Sequence, residues 1–147
     1  MKNIFISYNW DNKKDVHEIV GLLRSKDEHQ VWLDENNMNA GDILHGEIKK
    51  GIENCKLFVA FITKKYCESQ NCQLEIKYAF EMKKKCIYVK LEENLGDDKA
   101  GIGLLIAGSL RLNGFDYKKD KSWPVNLYNQ LSNDIKKHLN NEESLQL

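Results

Sequence analysis

Leu57-Phe58-Val59-Ala60-Phe61-Ile62 is an uncharged apolar run, and after Thr63-Lys64-Lys65 the chain continues Tyr66-Cys67-Glu68-Ser69-Gln70-Asn71-Cys72-Gln73-Leu74-Glu75. An apolar run this short, bounded by polar residues, reads as a strand buried on both faces. The spacing of the apolar residues beyond it predicts a long helix over about 66–83. Leu74, Tyr78 and Met82 share one face, with Cys72, Ile76, Ala79 and Phe80 beside it, a stripe wide enough to cover a sheet. Glu75 therefore falls early in the helix after a buried strand. In an open α/β sheet the crevice outside the carboxyl ends of the strands is where small ligands bind, so an acid at this point marks a site. The location carries the argument, because glutamate itself is common.

The alternation of periods continues outward in both directions. Upstream, residues 3–8 read as a first strand, and Val16, Ile19, Val20 and Leu23 repeat at helical spacing on a segment expected to be capped near Asp11 or Asn12. Residues 30–33 make a short second strand. The stretch 34–41 is rich in residues that tolerate turns, and Asp42 is placed to cap a helix on which Leu44, Ile48, Ile52 and Cys55 align. Downstream, residues 86–91 form a fourth strand, 92–108 read as a glycine-rich irregular segment, and 110–112 as a weak fifth strand. Ser122 and Pro124 open a last helix whose Leu127, Leu131, Ile135 and Leu139 recur every four residues, and the chain from Asn140 onward is polar enough to fray. Strands alternating with helices define an α/β fold. The expectation is a flavodoxin-like three-layer sandwich, a five-stranded, mainly parallel sheet with helices on both faces, in one domain over 1–140 followed by a flexible polar tail over 141–147. Its switch point lies between strands one and three.

A chain of 147 residues is large enough for one core. Lysine plus arginine and aspartate plus glutamate are both 22, a net charge of zero that argues against a field built for nucleic acid or an anionic membrane. Cys55, Cys67, Cys72 and Cys86 show no C-x-x-C spacing, and with no secretory leader expected they read as reduced thiols in a cytoplasmic protein. His17, His29, His45 and His138 do not combine with them at zinc-finger or ribbon spacing, so no metal is expected. The longest uncharged apolar stretch, 102–110, is far shorter than the ~20 residues a membrane helix needs, so no membrane insertion is expected. Gly101-x-Gly103 lacks the third glycine of the dinucleotide-binding fingerprint, and no P-loop is present to support ATP or GTP hydrolysis.

Three segments together resemble the Toll/interleukin-1 receptor (TIR) domain family: Ile4-Phe5-Ile6-Ser7-Tyr8, Trp32-Leu33-Asp34 through Gly41, and Tyr66-x-x-Ser69-x-Asn71-Cys72-x-x-Glu75. They match the family's first box, the end of its second strand with the following BB loop, and its αC motif. Each alone is weak; all three in order on the right elements are specific. The run Asn71-Cys72-Gln73-Leu74-Glu75-Ile76-Lys77-Tyr78-Ala79-Phe80 with Lys84-Lys85 looks most like stand-alone or repeat-associated members from protists and invertebrates.

Some members of this family cleave NAD at the nicotinamide–ribose bond, whereas others only assemble. The resemblance implies that Glu75 is the catalytic carboxylate. It also implies that Ser7, Tyr8, Asn9, Trp10, Leu33, Asp34, Ser69, Asn71 and Cys72 surround the substrate. Asn37, Met38, Ala40, Gly41 and Asp42 belong to the BB loop, through which such domains contact one another, and glycine there permits a change of backbone conformation at little steric cost. NAD is then substrate, not a redox cofactor, and no cofactor is expected. The partners implied are NAD, further copies of the chain and other TIR domains, in immune, stress or cell-death signalling. The alternative is a TIR–TIR adaptor without catalysis.

Each residue also has a plainer reading. Glu75 is otherwise a solvated helix residue or a partner for Lys77, Lys83 or a lysine on another element. Trp10 is either an aromatic face for a base or a loop tryptophan packed on the first helix, and Tyr8 equally ends the core strand. Cys72 reads as a buried thiol in the helix stripe, because no histidine stands in a partner context. Lys83-Lys84-Lys85 reads as a solvated helix end complementing the helix dipole. Two departures from the family pattern stand out: Asn9 where several hydrolytic relatives carry a basic residue, and Asn71 where many carry tryptophan. Phosphate contacts are then expected from Lys13, Lys14 or backbone amides.

Overall fold

The computed structural model describes residues 3–33, 46–96, 101–107, 110–114 and 124–145. Its elements run β1 (Ile4–Ser7), a 3-10 turn (Trp10–Asn12), α1 (Lys13–Lys26), β2 (Val31–Leu33), α2 (Gly46–Asn54), β3 (Leu57–Ile62), α3 (Lys64–Glu68), α4 (Gln70–Glu81), β4 (Lys85–Lys90), α5 (Ile102–Ala107), β5 (Leu110–Asn113) and α6 (Val125–Leu145). The strands form one sheet in the order β2-β1-β3-β4-β5, and every neighbouring pair is parallel. This is the flavodoxin-like arrangement, with the weak fifth strand in register alongside β4 at Ile87↔Leu110 through Lys90↔Asn113.

The pleat divides the strand residues between two cores. Ile4, Ile6, Leu57, Val59, Phe61, Ile87 and Val89 face one side, under Val16, Ile19, Val20 and Leu23 of α1 and Leu127, Leu131 and Ile135 of α6. Phe5, Phe58, Ala60, Ile62 and Tyr88 face the other, under Ile48 and Ile52 of α2, Cys72, Ile76 and Ala79 of α4, and Ile102 and Ile106 of α5. All of β3 is buried, as a central strand covered on both faces must be. Each of these aliphatic side chains contributes about 1.5–3 kcal/mol by leaving water.

Several expectations are corrected. The single helix over 66–83 is two helices broken at Ser69, whose extended backbone (φ −78°, ψ 123°) ends α3 and starts α4. Its N–H donates to the carbonyls of Lys65 and Tyr66, while its Oγ accepts from the Cys72 amide at 3.3 Å, so one serine closes one helix and caps the next. Phe80 and Met82, assigned to the sheet-covering stripe, are 59% and 42% exposed. The stripe is narrower than the pattern suggested because α4 buries only Cys72, Ile76 and Ala79. The segment read as irregular contains α5, entered through Gly101 at φ +72° and held by Ile102 and Ile106 one turn apart. Helix α1 has no side-chain cap from Asn12; Asn9 instead caps the preceding 3-10 turn, accepting from the Asp11 amide at 3.0 Å.

The lysine run is not simply a solvated helix end either. Lys84 is half-buried and donates through Nζ to the carbonyls of Glu53, at 2.6 Å, and Cys55, at 2.9 Å. It closes the C-terminus of α2, where a cation complements the helix dipole, instead of that of its own helix. Helix α6 runs Val125–Leu145, so the polar stretch from Asn140 begins within a helix. The expected cap Asp42 lies outside the described residues, as do Leu44 and Ser122.

Candidate active site

The sheet order brings β1 and β3 side by side, with Ser7 opposite Ala60. From the end of β1 the chain passes to α1 on one face, and from the end of β3 it passes through α3 to α4 on the other. Two connections leaving adjacent strands in opposite directions open a crevice between them. Ser7 lies at its base on β1, and Glu75, in the second turn of α4, is half-buried beside it.

The Ser7 Oγ donates to Oε1 of Glu75 at 2.8 Å. The same Oγ lies 2.7 Å from the hydroxyl of Tyr66 on α3. Ser7 and Tyr66 are both fully buried. Tyr66 is fixed at its backbone as well, because the Thr63 Oγ caps α3 by accepting the Tyr66 amide at 3.0 Å. Burial raises the ionisation of the Tyr66 phenol well above its usual range, and the nearby Glu75 carboxylate adds to the effect. The phenol therefore stays protonated.

Other residues of the motif frame this cluster. Cys72 is buried, donates through Sγ to the Tyr8 carbonyl at 3.5 Å, and has its thiol pushed far up by burial and then by the Glu75 charge. A thiol so shielded is a packing group, not a nucleophile. Ser69 and Asn71 are half-buried at the start of α4. Asn9 joins the two walls: its Nδ2 donates to the Lys65 carbonyl at 3.3 Å. Lys65 in turn pairs with Asp11.

Tyr8, Trp10 and Leu33 point elsewhere. The Tyr8 ring belongs to the core on the α1 side, where its hydroxyl lies 3.0 Å from Nε2 of His17, so only its backbone borders the crevice. Leu33 is buried in that core too. Trp10 packs against the same core, with its ring 6.5 Å from that of Tyr8 and the Lys13 Nζ 4.3 Å above its centroid. That geometry matches the packed reading of Trp10 and engages one ring face with a cation. Asp34, Asn37, Met38, Ala40, Gly41 and Asp42 lie outside the described residues. Among the described residues no cluster of three or more histidine, cysteine or acidic side chains could hold a metal, and no helix is long and apolar enough to cross a membrane.

Tyr66 is not among the expected site residues, although it opens the motif that ends at Glu75. Its link to Ser7 spans 59 residues and exists only once α3 stands against β1. A buried tyrosine at the head of a motif ending in an acid was the available signal.

A doubly wound parallel sheet with a carboxylate at its switch point defines the class to which this chain belongs. The family is explicit: residues 4–132 match the model described as TIR domain, and the chain belongs to that family. No curated protein is significantly similar to it. Among solved structures it is similar to the TIR domains of the activated Roq1 resistosome recognizing the pathogen effector XopQ, with TM-score 0.70 and 17% identity over 92% of this chain and 99% of that one. It is also similar to the TIR domain of the Toll-related receptor TRR-2 from Hydra magnipapillata, with TM-score 0.67 and 11% identity over 92% of this chain and 99% of that one. At these identities the likeness speaks for the fold.

Proposed function

We infer that this TIR domain is an NAD glycohydrolase that cleaves the nicotinamide–ribose bond, with Glu75 stabilising the ribosyl cation. The observation that carries this reading is the half-buried Glu75 carboxylate at the β1/β3 crevice, held at one oxygen by the buried Ser7 hydroxyl at 2.8 Å. Nicotinamide leaves a pyridinium as a neutral base, so no acid is needed to protonate it and the two-carboxylate arrangement of ordinary glycosidases is unnecessary. Positive charge develops instead on the ribose. An oriented anion in a partly dehydrated crevice stabilises that charge in the transition state. Water then adds at the anomeric carbon and loses a proton, giving nicotinamide, ADP-ribose and one proton; attack by an adenine nitrogen gives a cyclic isomer.

Self-association through the BB loop completes the site in this reading, in a cytoplasmic immune, stress or cell-death response. The likeness to Roq1, whose TIR domains were seen in an activated resistosome, supports an assembled active form. The test is incubation of concentrated purified protein with NAD, followed by chromatography of nicotinamide and ribosyl products beside Glu75→Gln. Nicotinamide release by wild type and its loss in the variant are expected. Equal release by both would overturn the assignment.

A second reading, homotypic assembly without catalysis, is favoured by specific residues. Asn71 and Asn9 stand where hydrolytic relatives carry tryptophan and a basic side chain, and Lys13 engages a face of Trp10. Absence of NAD turnover with retained self-association would select it. The closer resemblance to stand-alone or repeat-associated domains of protists and invertebrates rests on the 71–80 run and fits either reading.

A further inference from the structure

We propose that Tyr66 is a positioning residue for Glu75, acting through Ser7; its effect on turnover rests on the hydrolase reading, whereas its effect on the carboxylate does not. A serine hydroxyl has one proton, and an ionised carboxylate only accepts. With Ser7 Oγ 2.8 Å from Oε1 of Glu75, the serine proton goes to the carboxylate. The 2.7 Å contact between Ser7 Oγ and the Tyr66 hydroxyl then has only one polarity, the phenol donating to the serine. The chain of donors runs Tyr66 to Ser7 to Glu75.

Three elements meet in this chain: α3 supplies the phenol, the central strand β1 the serine, and α4 the carboxylate. Glu75 has three rotatable bonds and is only half-buried, so its own helix does not fix the direction of its oxygens. Ser7 sits at the end of a fully buried strand, and Tyr66 is capped at its backbone by Thr63, so both donors are rigid. Complete burial of Tyr66 and Ser7 also keeps water from replacing either partner. A hydroxyl that receives a hydrogen bond becomes a better donor, so the phenol strengthens the bond that Ser7 makes to Glu75. The carboxylate is thus referenced to the sheet and oriented before substrate arrives, which is the form of preorganisation that lowers a charged transition state.

The test uses the full chain carrying a carboxyl 13C label at glutamate, with Ser7→Ala, Tyr66→Phe and the double variant, read at one fixed pH. Each single substitution is expected to move the Glu75 carboxyl resonance, and Tyr66→Phe to add nothing once Ser7 is alanine. Site-specific fluorotyrosine at position 66 keeps the ring shape and makes the phenol a stronger donor, so it moves the resonance opposite to Tyr66→Phe and covers the case in which that variant fails to fold. With NAD, Tyr66→Phe lowers kcat about tenfold, the size of one buried neutral hydrogen bond, with KM within about twofold. A Glu75 resonance indifferent to the substitutions at 66, or additive effects in the double variant, overturns the proposal. If the resonances couple as expected while neither wild type nor Glu75→Gln consumes NAD, the positioning chain stands and the hydrolase assignment falls.

Discussion

The ammonium of Lys65 on α3 lies 2.8 Å from Oδ2 of Asp11 in the turn after β1, so an ion pair spans the two walls of the crevice in which Glu75 stands. The side chains are 68% and 58% exposed, which leaves the pair well solvated. Exposed pairs of this kind contribute little to stability, and salt screens them. Asp11→Asn is expected to shift the urea midpoint only slightly in dilute buffer. A urea titration in about 1 M NaCl should show no difference from wild type. A loss that persists in high salt would mean that Asp11 acts through its backbone turn, not its charge.

Ser69 serves two helices at once, which makes it more sensitive than an ordinary cap. Ser69→Ala keeps the backbone donor to Lys65 and Tyr66 but removes the oxygen that accepts the Cys72 amide at 3.3 Å. The expected cost is about 1 kcal/mol, measured by chemical denaturation, with Ser69→Asn or Ser69→Asp recovering most of it. Failure of either to recover stability would show that the position needs the small hydroxyl for space.

Asp27, at the end of α1, accepts from Tyr128, from Ser132 at 2.7 Å and from Lys136 at 2.9 Å, tying α1 to α6. These donors, Tyr128 foremost, hold its carboxyl far below the ordinary 3.8. A carboxyl depressed on folding contributes stability that is complete above its unfolded value and is lost as pH falls through the folded one. Wild type should therefore lose stability below about pH 5 more steeply than Asp27→Asn, which already lacks about 2 kcal/mol at neutral pH. Parallel Tm curves for the two proteins between pH 5 and about pH 2 would contradict this.

Gly51 on α2 has its missing Cβ position 3.2 Å from the Phe5 ring and 3.3 Å from Trp32. Phe5 is held between Trp32, stacked at 4.7 Å, and Phe58 at 5.5 Å, so it has nowhere to yield. Gly51→Ala should gain about 1 kcal/mol of helix propensity and lose more to overpacking, for a net destabilisation of about 1 kcal/mol. Thermal melts decide the sign; stabilisation would mean that the aromatic stack shifts easily.

If assembly completes the site, NAD turnover should rise more steeply than linearly with protein concentration. Measuring initial rate against concentration, with the oligomeric state followed by light scattering, checks this. A rate strictly proportional to concentration for a demonstrated monomer would separate catalysis from association.

The strands were legible because their signal is local: runs of apolar residues such as 57–62 do not depend on what lies across the sheet. So was Glu75 at the crevice, since strand order and helix entry follow from the same runs. The break at Ser69 was hidden because apolar spacing continues across it, and capping by a single hydroxyl leaves no periodic trace. Glycines around α5 masked a helix whose evidence is two isoleucines one turn apart. Lys84 and the Tyr66–Ser7–Glu75 chain were illegible for another reason: their partners lie 29 to 68 residues away, and only packing brings them together. Asp34 and the BB-loop residues, read from the family resemblance, lie outside the described residues.

Lys84 stitches α2 where β3 begins, at the pole of the sheet opposite the strand ends beside Glu75. The domain is thus polarised, with the Glu75 crevice at one pole and the suture at the other. A fluorophore or tether attached near Lys83 or Lys85 would ride on the sutured pole, leaving the Glu75 pole unencumbered for an experiment that asks in real time whether copies gather.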